Sequence, residues 1–114
     1  MKNLEQIRAQ AALQPAQTLD RSAISKLPGM ILTNGLLAAA AFCNAEGGGD
    51  NRSHLKNAML AVKDHLKERK IISNASDIKG MIQDLAGKDA LNLQRATQEA
   101  LAFLAYLKRF AKKD

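Results

Sequence analysis

The stretch LPGMILTNGLLAAAAF, Leu27 to Phe42, is the most apolar run of the chain, yet it carries Pro28, Gly29, Asn34 and Gly35. Its sixteen residues fall short of the roughly 20 that span a bilayer, and Thr33 and Asn34 interrupt it. Four consecutive alanines, Ala38 to Ala41, with leucines before them favour a helix over a strand. Pro28 suits the first turn of that helix, where a missing N–H costs little, and Asp20, Ser22 and Ser25 are candidate caps ahead of it. Gly35 reads as a place where another helix or backbone comes close, since no side chain intervenes. Asn34 then hydrogen-bonds locally or across that contact. With Phe42 these residues form a packing motif, not a membrane segment or a ligand loop.

Outward from this run, the pattern is helical throughout. Leu4, Ile7, Ala11 and Ala12 share one side of a first segment over residues 2–19, which Pro15 kinks or divides into two short helices. Gly47, Gly48 and Gly49, with Asp50 and Asn51, mark a glycine-rich loop near 46–51. Beyond it, Leu55, Met59, Val62 and Leu66 recur at intervals of four, three and four, which predicts an amphipathic helix over 51–70. A turn at Ser73, Asn74, Ala75 and Ser76 precedes a short helix holding Ile78, Met81, Ile82 and Leu85, capped by Ser76, with Asp77 at its start and Gly87 as its stop. A long last helix over 89–111 buries Leu93, Thr97, Ala100, Leu104, Leu107 and Ala111, widened by Phe103, Tyr106 and Phe110. The expected fold is all-α: a compact bundle of five or six helices in a single domain, residues 1–114.

Length and composition agree, because 114 residues suffice for one core and the chain is 46% hydrophobic and 25% charged. Aromatic residues make up only 4%, so Leu, Ile, Met and Ala must fill the interior. Cys43 is the sole cysteine, which excludes an internal disulfide and a cysteine zinc site, and fits a reducing compartment. The opening MKNLEQIRAQAAL is broken by Glu5, Gln6, Arg8 and Gln10, unlike the continuous apolar core of a secretory signal, so a cytoplasmic location is expected.

Seventeen Lys and Arg against eleven Asp and Glu give a net charge of +6, which favours a polyanionic partner without naming one. At about 100° per residue, Arg52, Lys56, Lys63, Lys67 and Lys70 fall within about 60° of one another beside the apolar stripe of the third segment. Asp64 and Glu68 lie elsewhere on it. A second basic group, Lys108, Arg109, Lys112 and Lys113, ends the last helix, where it either complements the exposed carbonyls or meets phosphate. The nine residues are candidate RNA-backbone anchors and not base readers. No aromatic residue is interleaved with the lysines, which argues against a base-stacking platform.

Catalytic chemistry finds little support. His54 and His65 are eleven residues apart, about 16 Å along one helix, and cannot share a metal from it. Each reads as an ordinary surface or boundary residue, and Cys43 as a small packing residue. The sequence around Gly47 to Gly49 lacks the Lys and Ser/Thr of a phosphate loop. Asp77 and Asp84, seven residues apart, can share a helix face, but Asp77 already serves a helix start. No cofactor, metal or catalytic residue is expected.

Two stretches carry a resemblance. The first consists of Leu27-Pro28, Met30-Ile31, Asn34-Gly35-Leu36 and Ala41-Phe42; the second of Thr97, Glu99-Ala100-Leu101, Phe103-Leu104 and Leu107-Lys108-Arg109-Phe110-Ala111. In this order, with the opening LEQIRAQAAL, they resemble the small helical subunit of the type III-B CRISPR effector, often called the Cmr complex. The resemblance implies a noncatalytic subunit, present in several copies, that stacks as a minor filament beside CRISPR RNA paired with target RNA while other subunits cut the target. Its implied partners are those subunits, neighbouring copies of itself and the two RNAs. An independent helical nucleic-acid-binding protein is the alternative, and a small enzyme a third reading.

Overall fold

A computed structural model describes residues 1–45, 47–73 and 75–111. The chain forms six α-helices and one short 3₁₀ turn: α1 (Leu4–Leu13), the turn Pro15–Gln17, α2 (Arg21–Asn34), α3 (Leu36–Asn44), α4 (Gly49–Glu68), α5 (Ile78–Ala86) and α6 (Ala90–Phe110). No strand occurs among the described residues. Pro15 therefore ends α1 and begins the turn, as a residue without an N–H does. Every helix start but two has a side-chain cap: Asn3 for α1, Asp20 for α2, Asp77 for α5 and Asp89 for α6 each accept a backbone N–H three residues on. Asn3 and Gln6 make a reciprocal capping box.

The opening stretch corrects three expectations. Asp20, not Ser22 or Ser25, starts α2, so Pro28 lies inside the helix and not in its first turn. The proline forfeits one intrahelical bond there. The run is also two helices, because Gly35 adopts φ 92°, ψ 158° between α2 and α3. That region is essentially open to glycine alone. Finally, nothing lies within 4 Å of where a Gly35 side chain would begin, so the glycine serves backbone conformation and not close packing. Similarly, Asp77 caps α5 where Ser76 was expected.

Helix α6 is the hub: α1, α2 and α4 all pack along it, while α3 lies against α2, α4 and α5. The periodic stripe of α4 holds as read, with Leu55, Met59, Val62 and Leu66 all buried. Facing them are Ile24, Leu27 and Ile31 of α2, Leu36, Ala39 and Ala40 of α3, Met81 and Leu85 of α5, and Ala100, Phe103, Leu104 and Leu107 of α6. Small alanines between leucines let helices approach in the absence of many aromatic rings. Cys43 belongs to this core, and burial pushes its thiol up to about 11.

After α4 the chain turns sharply. Lys70 takes a left-handed φ of 61°, Ile71 N–H reaches Leu66 O at 2.9 Å, and Lys70 N–H reaches Lys67 O at 2.9 Å. This is a Schellman closure with lysine where glycine is usual, sealed by the buried pair Leu66 and Ile71. The α4–α5 connection is then clasped to α5. Asp84 accepts from Ser73 N–H and from Lys88 Nζ, both at 3.0 Å, and Lys88 Nζ also donates to Ile71 O at 3.3 Å. The basic residues thus stand on a rigid helix followed by a pinned turn.

Candidate nucleic-acid interface

Helix α4 buries one side and leaves cations on the adjoining one, but not all of those expected. Lys56 and Lys67 are exposed; eleven residues apart, they share an azimuth within about 20° and stand about 16 Å apart along the axis. Lys70 is exposed too, although the helix ends at Glu68 and places it in the turn beyond. Lys63 differs. It is only 7% exposed, its ammonium donates to Ser76 O at 3.3 Å and lies 2.6 Å from Asp64 Oδ1, so it ties α4 to the α5 approach and offers no free charge.

Arg52 is partly buried and engaged as well. Its guanidinium carbon sits 4.1 Å from the centre of the Phe42 ring, and Nη1 donates to Phe42 O at 3.4 Å. Gly48, at φ 86°, makes room for it: a Cβ there would lie 2.9 Å from Arg52 Cβ and 3.3 Å from its Nε. Phe42 itself remains 46% exposed at the end of α3. The fold therefore brings an aromatic ring to the N-terminal end of the basic face. Sequence spacing had no means of showing this, because the pair spans the glycine loop.

Lys108 and Arg109 are exposed in the last turn of α6. Lys112 and Lys113 lie outside the described residues, as do Glu46 and Asn74. No hydrogen bond or ion pair joins the α4 and α6 basic groups among the described residues.

Behind the basic face lies a polar centre that periodicity did not suggest. Arg8 of α1 grips Glu99 of α6 with two parallel bonds, Nε to Oε2 and Nη2 to Oε1, each 2.9 Å. His65 of α4 places Nε2 2.8 Å from the same Oε2, while its ring stacks on Phe103 at 4.3 Å and 7°. The His65 side chain is 1% exposed, so the surface or boundary role expected of it is wrong; His54 is the exposed one. Burial tends to raise the Glu99 carboxyl, but the bonds from Arg8 and His65 outweigh it and hold the group at about 2. A carboxylate only accepts, so His65 Nε2 carries the proton toward it. Burial lowers the His65 pKa, which keeps the ring neutral and its Nδ1 without a hydrogen or a partner.

A groove of about 480 Å³ runs alongside, between Ala11 and Pro15 on one wall and Leu60, Ala61 and Asp64 on the other. Its floor touches His65 and Phe103. Enclosed between Glu99 and Phe103, His65 ties α4 to α6 while Arg8 brings α1 to the same carboxylate, and the ring is poorly placed to exchange protons with a substrate. Among the described residues no three His, Cys, Asp or Glu side chains converge as metal ligands. None of the described helices is long and apolar enough to cross a membrane.

A family model described as CRISPR-associated protein (Cas_Cmr5) matches residues 4–113. No curated protein and no solved structure matches the chain. The matched span takes in the Leu27 to Phe42 run, the basic face of α4 and all of α6. With an all-α bundle of the architecture that both sequence stretches implied, this match places the chain in the CRISPR-associated Cmr5 family, the small subunits of the type III-B Cmr complex.

Proposed function

We propose that the chain is a noncatalytic structural subunit of a type III-B effector, stacking in several copies as a minor filament and contacting the guide and target RNA backbone through basic residues. The observation that carries this reading is the family match over residues 4–113. The exposed Lys56, Lys67 and Lys70, with Lys108 and Arg109, supply the chemistry: ammonium and guanidinium groups neutralise phosphates without reading bases. Sequence recognition is then left to pairing between guide and target. Lys112 and Lys113 extend the same charge in sequence.

The test is charge reversal on the exposed positions alone. Lys56→Glu, Lys67→Glu and Lys70→Glu together should leave the helical spectrum intact and weaken RNA binding by the assembled effector. The slope of log affinity against log salt should also shrink, by about one for each phosphate that is no longer neutralised. Unchanged affinity across salt concentrations counts against the reading. Lys63 is left out, because reversal there would bury an unpaired carboxylate and confound binding with folding.

A further inference from the structure

We propose that Phe42 and Arg52 form a stacking platform for an unpaired RNA base, so that the basic face of α4 holds single-stranded RNA by more than its phosphates. The proposal rests on the RNA-contacting role above and names the form of RNA that this surface prefers. Three observations bear on it. Phe42 is one of the few large apolar side chains left exposed, with nearly half of its surface in solvent. Arg52 is held over its ring at 4.1 Å and fixed by Phe42 O and by the space above Gly48. Lys56 follows Arg52 by one turn on the same face, exposed, so an aromatic ring, a guanidinium plane and a free ammonium succeed one another along the helix.

That succession matches what binding of single strands demands: cations that track the backbone and planar groups on which bases rest. Bases stack on guanidinium planes as well as on aromatic rings, and the Arg52 guanidinium is held in place by the Phe42 ring, so the platform depends on that ring. The stacking requires a base free of its helix. Base-paired RNA keeps its bases stacked within the duplex and presents phosphates and 2′-hydroxyls instead. The neighbouring chain favours access, since Gly47, Gly48 and Gly49, the first residue of α4, carry no side chains. Complementary charge favours RNA over an apolar protein partner, because a buried protein contact at this ring would have to desolvate Arg52 and Lys56 as well.

The probe is a fluorescent single-stranded RNA of mixed sequence, compared with the same strand annealed to its complement. Affinities are measured at low salt for the chain alone and for the effector reconstituted with it. Phe42→Ala should weaken single-strand binding about tenfold and leave the duplex nearly unaffected. Phe42→Tyr should retain the preference, whereas Phe42→Leu, apolar but without a ring plane, should lose it. The salt slope should be the same in all of them, because no charge is removed. Equal losses on both RNAs, or none on either, overturn the stacking platform while leaving backbone contact standing. Failure of the parent chain and of its assembled effector to bind either RNA overturns both. Loss of effector assembly in Phe42→Ala with normal RNA affinity shows a protein contact and overturns the platform too. Thermal unfolding of each variant confirms that the fold persists.

Discussion

At the scale of single residues, the most consequential group is Glu99, which lies 91 residues from Arg8 and 34 from His65 in sequence. Such separations leave no trace in a local pattern, so sequence reading assigned Glu99 only to a family motif and His65 to the surface or its boundary. The burial of a charged residue beside the apolar stripe of α6 is the one hint, and it can be recognised only once Glu99 is seen to face the core. The network makes stability depend on acid. His65 has a folded pKa below its ordinary 6.5, so stability is full above that value and declines as pH falls through it toward the lower folded value. Glu99, held at about 2 against 4.5, adds a second loss as pH falls from 4.5. Thermal unfolding should therefore give a melting temperature that drops between pH 7 and 5, and His65→Gln should flatten that drop. Glu99→Gln should cost on the order of 3 kcal/mol at neutral pH, as expected when a buried ion pair loses one partner. A pH profile unaltered by His65→Gln would show that other groups set it.

Lys70 gives a prediction of opposite sign. Its left-handed backbone costs a residue with a Cβ about 1 kcal/mol or more, which glycine avoids. Lys70→Gly should stabilise the fold by up to about 1 kcal/mol in denaturant melts, offset in part by the greater freedom of glycine in the unfolded chain. If Lys70 also meets phosphate, the same variant should bind RNA more weakly.

At the scale of elements, α4 and α6 were legible from their periodicity, because one face of each meets the core over many turns and the apolar spacing records it. Their ends were found to within about two residues, since Asp89 and the glycine loop punctuate them. The Leu27 to Phe42 run was harder, because Pro28 and Gly35 each admit more than one structural role. Proline is tolerated inside α2 by a helix whose Ile24, Leu27 and Ile31 are already anchored in the core. Gly35, by contrast, holds a dihedral pair that other residues avoid. Two glycines six positions apart should therefore respond oppositely to alanine. Gly29 sits exposed within α2 with open space where a Cβ would go, so Gly29→Ala should raise stability by about 0.5–1 kcal/mol. Gly35→Ala should lower it by about 1–3 kcal/mol, because the α2–α3 junction must strain or reorganise. Equilibrium unfolding of the two variants checks both signs, and stabilisation by Gly35→Ala would contradict the conformational role given to that glycine.

At the scale of the whole molecule, the bundle is a flat body of 41 × 40 × 25 Å whose basic groups stand on separate elements. The all-α class and the family were both within reach of sequence, the first through apolar spacing and the second through the two motif stretches. The exposed basic surface was legible in outline only. Angular clustering on α4 picked out Lys56 and Lys67, which are exposed, but it could not see that Lys63 turns to Ser76 O or that Arg52 turns to Phe42, because both partners come from other parts of the chain. A helical wheel reports direction from an axis; what another segment places in that direction is a tertiary fact. Lys63 and Arg8 are engaged within the fold, whereas Lys56, Lys67 and Lys70 are exposed.

The most direct measurement is cross-linking of guide and target RNA to this chain within the assembled type III-B effector, with the modified residues mapped by mass spectrometry. Adducts are expected along α4 around Lys56 and Lys67, in the turn at Lys70 and at the end of α6 around Lys108 and Arg109, and Lys63 should remain unmodified. An effector that assembles with this chain but yields no RNA adducts on it, or adducts confined to surfaces away from α4 and the end of α6, would contradict an RNA-contacting subunit built on these residues.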